Sequence, residues 1–397
     1  MEASSDMQRS TQRILTTHAG SLPRPADLAD LNAAKMRGDA YDDHARSARI
    51  PDAVTDVVRH QSAVGLDVIN DGECSKTNFL AYAEDRLSGF ERAESREGFF
   101  ARRDWRNFES FYRDSSWGRR PGGTQAVCTG PIAYRGQALV KSDIDNLRAA
   151  VVKIQPPAEL FLTAIAPGTF GRGQNRYYAT EEAFLFAIGE AMREEYRAIV
   201  EAGLVLQIDD PGLPDTWDML NPEPSLEEYR RFAQIRVDAL NHGLAGLPED
   251  RIRYHICWGS WPGPHVTDIA LRDIVDLMLQ VRAGAYYVEA ANPRHEHEWR
   301  VWQDVHLPEG KVLIPGVVTH KTPVVEHPEV VADRLVRYAE VVGRENVIAG
   351  TDCGFGGRMD AQVAWAKLQA MVDGADLASQ RLWRSSARSP GGLRTLS

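Results

Sequence analysis

The chain has 397 residues, 43% of them hydrophobic, with 46 Lys plus Arg against 56 Asp plus Glu and a net charge of −10. That length suits one large α/β domain with insertions, no basic block points to nucleic acid, and four scattered cysteines (Cys74, Cys128, Cys257, Cys353) make no disulfide framework and fit a reducing compartment. No apolar run reaches the roughly 18 residues a bilayer span needs, and the polar opening MEASSDMQRSTQ lacks a signal-like apolar stretch, so a soluble cytoplasmic protein with no membrane or nucleic-acid partner is expected.

In chain order, residues 1–12 read as a flexible start and 13–383 as a single catalytic domain. Strand-like runs fall at 14–18, 66–70, 126–129, 159–165, 204–209, 252–257, 285–289, 312–317 and 347–351. Several are apolar without alternation, the pattern of strands covered on both faces. Helical patterns separate many of them. Thr180 caps one, with Glu181 and Glu182 in its first turn, apolar residues from Phe184 to Ile199 at helical spacing, and Gly203 after it. A second is expected to open at Thr267 or Asp268 and to carry Leu271, Ile274, Val275, Met278 and Val281 on one stripe. A third covers 329–342 and stops near Gly343. Strand–helix alternation implies a parallel sheet. Eight of the nine strands suit a (β/α)8 TIM barrel. The run at 126–129 is assigned to an insertion of about 71–135 after the second strand, because 71–123 is rich in Arg, aromatics and charge without strand–helix rhythm. The Ser- and Arg-rich stretch 384–397 reads as a flexible tail.

The chemistry concentrates at strand ends, where barrel active sites are built. His255 and Cys257, two apart on a strand, point to one face. Glu289 and Cys353 end two later strands. Two thiolates, an imidazole and a carboxylate suit a tetrahedral Zn²⁺; the plainer alternative is two buried cysteines, a core histidine and an Arg-paired glutamate. Glu73, with Asp71, and Asp209, with Asp210, are carboxylates at strand tips. They can hold a substrate ammonium or move protons, or simply cap helices. The turn TTHAGSLPR offers Gly20 and Ser21 as a seat for a substrate carboxylate, or is a plain βα turn. His265 and His320 are single histidines near loop ends that can carry a proton or serve as structural donors. His295 and His297 lie two apart in a helix-opening turn, which does not place them on one face; a solvated or substrate-facing turn is expected there. Cys74 and Cys128 read as buried or cap thiols.

The motifs TTHAGSLPRP, GLDVINDGE, LQIDDP, HICWG, YYVEAANPR and GTDCGFGGR, in that order, resemble the catalytic barrel of cobalamin-independent methionine synthase, and more closely the short methionine synthase II-like group that includes epoxyalkane:coenzyme M transferase. The resemblance covers nearly the whole chain. It implies zinc held by His255, Cys257, Glu289 and Cys353, an amino-acid thiol gripped through its amino group by Glu73 and Asp209, and its carboxylate near Gly20 and Ser21. The implied reaction is zinc-dependent transfer of a methyl or other alkyl group to a small-molecule thiol, with His265, His320 and Asp209 as catalytic candidates. Two segments depart from the family: its aromatic pterin seat reads Ala166-Pro167-Gly168-Thr169-Phe170, and its Asp-x-His reads Thr319-His320-Lys321. These leave the donor open between methylfolate and an epoxide. Two other readings compete. One is a metal-free uroporphyrinogen decarboxylase-like enzyme, for which the Arg-rich stretch 102–120 would have to bind substrate carboxylates. The other is a non-catalytic zinc- or thiol-binding protein.

Overall fold

Eight short parallel strands wrap into a nearly closed barrel in the computed structural model, which describes residues 7–94, 102–114, 124–155, 157 and 159–384. In chain order the strands are β1 (Leu15–Thr16), β2 (Val68–Ile69), β3 (Phe90–Glu94), β4 (Thr124–Cys128), β5 (Glu159–Ile165), β6 (Gln174–Asn175), β7 (Val205–Asp209), β8 (Ile252–His255), β9 (Ala285–Val288), β10 (Val312–Val318) and β11 (Ile348–Thr351). The barrel order is β1-β11-β10-β9-β8-β7-β5-β2. All eight coincide with the expected runs. Their unalternating apolar sequence has the reason given by parallel sheets: one face fills the barrel and the other packs under helices. The two faces separate cleanly in β7, where Val205 joins the inner cluster with Phe161, Ala285, Tyr287, Ile314 and Ile348, while Leu206 and Ile208 join the outer core.

The seam between β1 and β2 is closed mainly by a side chain. Asp67 N–H donates to Thr16 O at 3.2 Å. The Asp67 carboxylate accepts from Thr16 N at 2.9 Å, from Thr16 Oγ1 at 3.0 Å and from the Arg13 guanidinium. Thr17 Oγ1 donates to Val68 O at 3.0 Å. Deeper in the barrel Arg253, fully buried, donates to Gln207 Oε1, Thr17 Oγ1 and His18 O and lies over the Phe161 ring. Burial pulls it down to about 10.

The run at 126–129 belongs to the inserted segment, as expected: β4 pairs antiparallel with β3 and parallel with the short β6, in a separate three-stranded sheet. The insertion also contributes the short helices Ala81–Arg86, Arg103–Asn107 and Glu109–Asp114. The Thr180-capped helix runs Glu181–Glu201, with Thr180 Oγ1 accepting from Ala183 N. Pro328–Val342 ends before Gly343. The helix expected from Thr267 or Asp268 does not form at length. A 3-10 turn (Leu271–Asp273) and a single helical turn (Val275–Met278) replace it. Asp268 is engaged by two imidazoles instead of capping, Leu271 N–H is taken by Glu298 Oε1 at 2.7 Å, and Ile274 (φ −133°) interrupts the spiral. The apolar stripe is buried all the same. Of the start expected to be flexible, residues 1–6 lie outside the described residues, whereas Met7 and Ser10 are buried and Ser10 Oγ donates to Val347 O at 2.5 Å. The expected tail beyond Arg384 lies outside the described residues. No helix among the described residues is long and apolar enough to cross a membrane.

Candidate active site

β8 ends at His255, and Ile256 N–H extends the ladder by donating to Tyr287 O at 3.0 Å. Ile256 therefore packs into the outer core, and His255 and Cys257 share the barrel side of the extended chain. Cys353 follows β11, and its Sγ lies 3.8 Å from Cys257 Sγ. Both thiols are free and buried. A disulfide would hold the sulfurs near 2.05 Å; two sulfurs on one tetrahedral zinc, each about 2.3 Å from it, would stand about 3.8 Å apart. The Cys257 contact, Arg358 and His255 hold Cys353 well below the ordinary thiol range, and the same contact plus burial pushes Cys257 up.

His255 Nδ1 lies 2.8 Å from Asp209 Oδ1. Burial opposes charge on the imidazole, but the carboxylate outweighs it and lifts His255 above its usual value. Burial likewise raises Asp209 against the pull of His255. Asp209 Oδ1 also accepts from Gln207 Nε2 at 2.6 Å. This arrangement fixes the ring through Nδ1, as the outer-shell carboxylate of a metal-binding histidine does. Glu289 is buried and pinned: Oε1 accepts from Trp258 N at 2.9 Å, Oε2 from Asn292 Nδ2 at 2.7 Å. Burial pushes it up to about 7. The turn behind it is set by Asp352, whose Oδ1 accepts from Ala290 N and Ala291 N at 2.8 and 2.9 Å. Among the described residues no three His, Cys, Asp or Glu side chains converge into a ready-made metal cage. The sulfur pair alone stands at chelating distance, with His255 and Glu289 close enough to act on it electrostatically.

The Gly20–Glu73 side meets the same mouth. A Cβ on Gly20 (φ 129°) would fall 2.8 Å from Thr163 Cγ2 and 3.0 Å from Glu73 Oε1, so only glycine permits this approach. Glu73 sits at φ 55°, its amide tied to Asp71 Oδ1 at 2.9 Å and its Oε1 accepting from Thr163 Oγ1 at 2.6 Å. Ser21 O accepts from Phe355 N and Gly356 N, which stitches the first turn to the Cys353 loop.

The two single histidines differ. His320 is buried with neither ring nitrogen partnered, and burial followed by the fields of Lys321 and Arg358 keeps it neutral. His265 (φ 55°) belongs to a network: Nδ1 lies 2.9 Å from Asp268 Oδ2, and Lys321 Nζ lies 2.8 Å from Nε2. Asp268 Oδ2 also meets His295 Nε2 at 3.0 Å, and His295 Nδ1 meets Glu298 Oε2 at 2.9 Å. Of the solvated or substrate-facing turn expected at 295–298, the solvated alternative is therefore corrected for His295 and Glu298. Both are buried, and His295 stacks on Trp258 with ring centroids 4.1 Å apart. His297 is exposed. Two carboxylates outcompete water for the His295 imidazole. Reading the sequence missed Asp352, Asn292, Lys76, Lys321 and the Asp268–His295–Glu298 chain. Asp352 and Asn292 lie near expected ligands within the quoted motifs, Lys321 lies in the segment that departs from the family, and Lys76 carried no local signal.

The arginines of 102–120 do not build an open anion pocket among the described residues. Arg102 pairs with Asp215, and Arg103 donates to Trp217 O at 2.6 Å and pairs with Glu223. Arg106 and Arg113 are exposed; Arg119 and Arg120 lie outside the described residues.

Known proteins share this framework. The chain is 25% identical over 372 residues to a methionine synthase of Sulfolobus acidocaldarius, covering 92% of this chain and 93% of that one. It is 24% identical over 396 residues to a 2-hydroxypropyl-CoM lyase of Xanthobacter autotrophicus, covering 93% and 96%. A B12-independent methionine synthase from Shewanella, solved with selenomethionine, superposes with a TM-score of 0.72 at 19% identity, over 94% of this chain and 99% of that one; this likeness is one of fold. The pattern of the cobalamin-independent synthase catalytic domain matches residues 14–108 and 172–377. With more than half of its residues matched, the chain belongs to the family of cobalamin-independent synthase catalytic domains.

Proposed function

We propose that this protein transfers a methyl or other alkyl group to a small-molecule thiol, with Zn²⁺ as its resident metal. The observation that carries the reading is the 3.8 Å separation of two reduced, buried sulfurs from β8 and β11 beside a carboxylate-braced imidazole. Cys257, Cys353 and His255 would hold the ion, with Glu289 as the fourth donor. Bound there, zinc would favour the thiolate form of the acceptor sulfur at neutral pH. The chain's own groups do the rest. Asp209 keeps Nε2 of His255 directed away from itself. Trp258 N–H and Asn292 hold Glu289 at the mouth. Gly20 lets the backbone approach Glu73 closely, and the two would face the body of the acceptor. His265, between Asp268 and Lys321, would pass a proton towards the departing donor fragment. His320 keeps both ring nitrogens open for a hydrogen bond to a guest.

Metal analysis of protein purified without added metal tests this. About one zinc per chain is expected for a four-ligand site, lost in Cys257→Ser and in Cys353→Ser. Mass spectrometry of products from several thiols crossed with methylfolate and small epoxides then identifies acceptor and donor. A folded, metal-free protein with full activity would reject the reading. In the cobalt-substituted protein, absorption bands that ignore added thiol would favour a closed structural ion instead.

A further inference from the structure

We propose that Lys321 is the acid of the transfer: its Nζ gives the proton to the departing heteroatom of the donor, and His265 reaches the donor only through it. This rests on the alkyl-transfer reading above and names the group that meets the donor.

The site's other proton carriers are enclosed or unsuited. His265 is 3% exposed, and both ring nitrogens are taken: Nδ1 lies 2.9 Å from Asp268 Oδ2, and Nε2 lies 3.0 Å from Trp261 O and 2.8 Å from Lys321 Nζ. Trp261 covers a face of the ring, with centroids 4.3 Å apart. Neither nitrogen is left for a guest. His320 keeps both nitrogens open, but burial and then the fields of Lys321 and Arg358 hold it neutral. It can donate a hydrogen bond, whereas loss of its remaining proton would leave an imidazolate. Arg358 keeps its proton at any working pH. Glu73, Asp209 and Glu289 act as acceptors, from Thr163 Oγ1, Gln207 Nε2 and Trp258 N.

Lys321 differs in exposure and in donor count. An ammonium carries three N–H donors. One goes to Gly259 O at 2.5 Å and one to His265 Nε2 at 2.8 Å. The third is left over on a side chain that is only half-buried. The two fixed contacts hold Nζ beside the sulfur pair's own loop, since Gly259 lies two residues beyond Cys257. The charge also reaches Glu289: burial pushes that carboxyl up, and Lys321 is the chief charge pulling it back. In the step, the electron pair of the acceptor thiolate forms the S–C bond. The pair of the broken bond stays on the departing oxygen or nitrogen, which takes the proton from Nζ. The amine left behind regains a proton from water, and the proton shed by the thiol on binding balances the transfer.

Donors that differ in what their leaving atom needs provide the test. 1,2-Epoxypropane and 5-methyltetrahydrofolate leave an oxygen or a nitrogen that must be protonated, whereas iodomethane leaves as iodide and needs no proton. Each is offered to the zinc-loaded protein with homocysteine and with 2-mercaptoethanesulfonate, and the thioether formed above the rate without protein is measured by mass spectrometry. Lys321→Met is expected to lose about 10²- to 10⁴-fold with the proton-requiring donor, the range for a positioned acid, and to keep its rate with iodomethane. Lys321→Arg, which retains the charge but does not release a proton, should be as slow as Lys321→Met. Iodomethane is each variant's own control for fold and metal, alongside circular dichroism and zinc content. Equal losses with both kinds of donor, no loss with either, recovery in Lys321→Arg, or wild-type turnover of iodomethane alone would overturn the inference and leave alkyl transfer standing. No protein-dependent alkylation from any of the three donors would sink the alkyl-transfer reading, and the inference with it.

Discussion

Glu73 and His265 are the two non-glycine residues with positive φ among the described residues. That conformation is disfavoured for side chains of their size and survives where the surroundings enforce it. Asp71 Oδ1 enforces it for Glu73, and Asp104 does so for His265 by accepting from His265 N at 3.1 Å and Val266 N at 2.9 Å. Both were candidates on residue type and position alone, but neither the strain nor its source was legible, because Asp104 is 161 residues away from His265. Asp209 gives the sharpest residue-scale prediction. Read as a strand-tip carboxylate, it proves to brace His255. Asp209→Asn should weaken zinc binding about 10- to 100-fold, the usual effect of losing such a partner, as read by competition with a chromophoric chelator. Unchanged affinity would show that the brace does not act on the metal.

At the scale of elements, the short strands β1 and β2 are the weak point of the barrel, and Asp67 holds their seam. Asp67→Ala removes acceptors for Thr16 N, Thr16 Oγ1 and Arg13. The expected loss is roughly 3 kcal/mol, since buried donors are left unpaired, visible as a lower urea midpoint. Gly350→Ala tests the inner packing: the new Cβ would stand 2.5 Å from Tyr287 Oη and 2.9 Å from Ile314 Cγ2. Overpacking of this kind costs about 1–3 kcal/mol, and a midpoint equal to wild type would mean that Tyr287 yields freely. The insertion has a purpose that its sequence concealed. Its Asp104 carboxylate takes the backbone of the 265–266 turn and Tyr112 OH, and Tyr112 OH accepts from Trp261 Nε1 at 2.9 Å. The segment after the second strand thereby clamps the loop after β8 that carries His265.

Over the whole molecule, buried charge chains link loops that are distant in sequence, and their titration sets the pH range of stability. His295 is lifted to about 9: burial opposes its charge, but Asp268 and Glu298 outweigh that, and Glu289 adds to their effect. In the unfolded chain it titrates near its ordinary value of about 6.5. Its contribution is therefore complete below about pH 6.5 and is lost as pH rises through about 9. On the order of 3 kcal/mol is expected from this linkage. Melting temperatures of wild type minus those of His295→Gln should shrink from about pH 6.5 to about pH 9.5; a constant difference would refute the assignment. The barrel, its eight strands and the candidate set His255, Cys257, Glu289 and Cys353 were legible in the sequence, because apolar runs covered on both faces and reactive residues at strand ends are local patterns. Packing across the barrel settled that Asp209 braces His255, that Lys76 stands beside Glu73, and that Asp268 joins two histidines instead of starting a helix. Those outcomes depend on which side chains meet across the closed barrel, and closure brings together groups far apart in sequence for which no local spacing carries a signal.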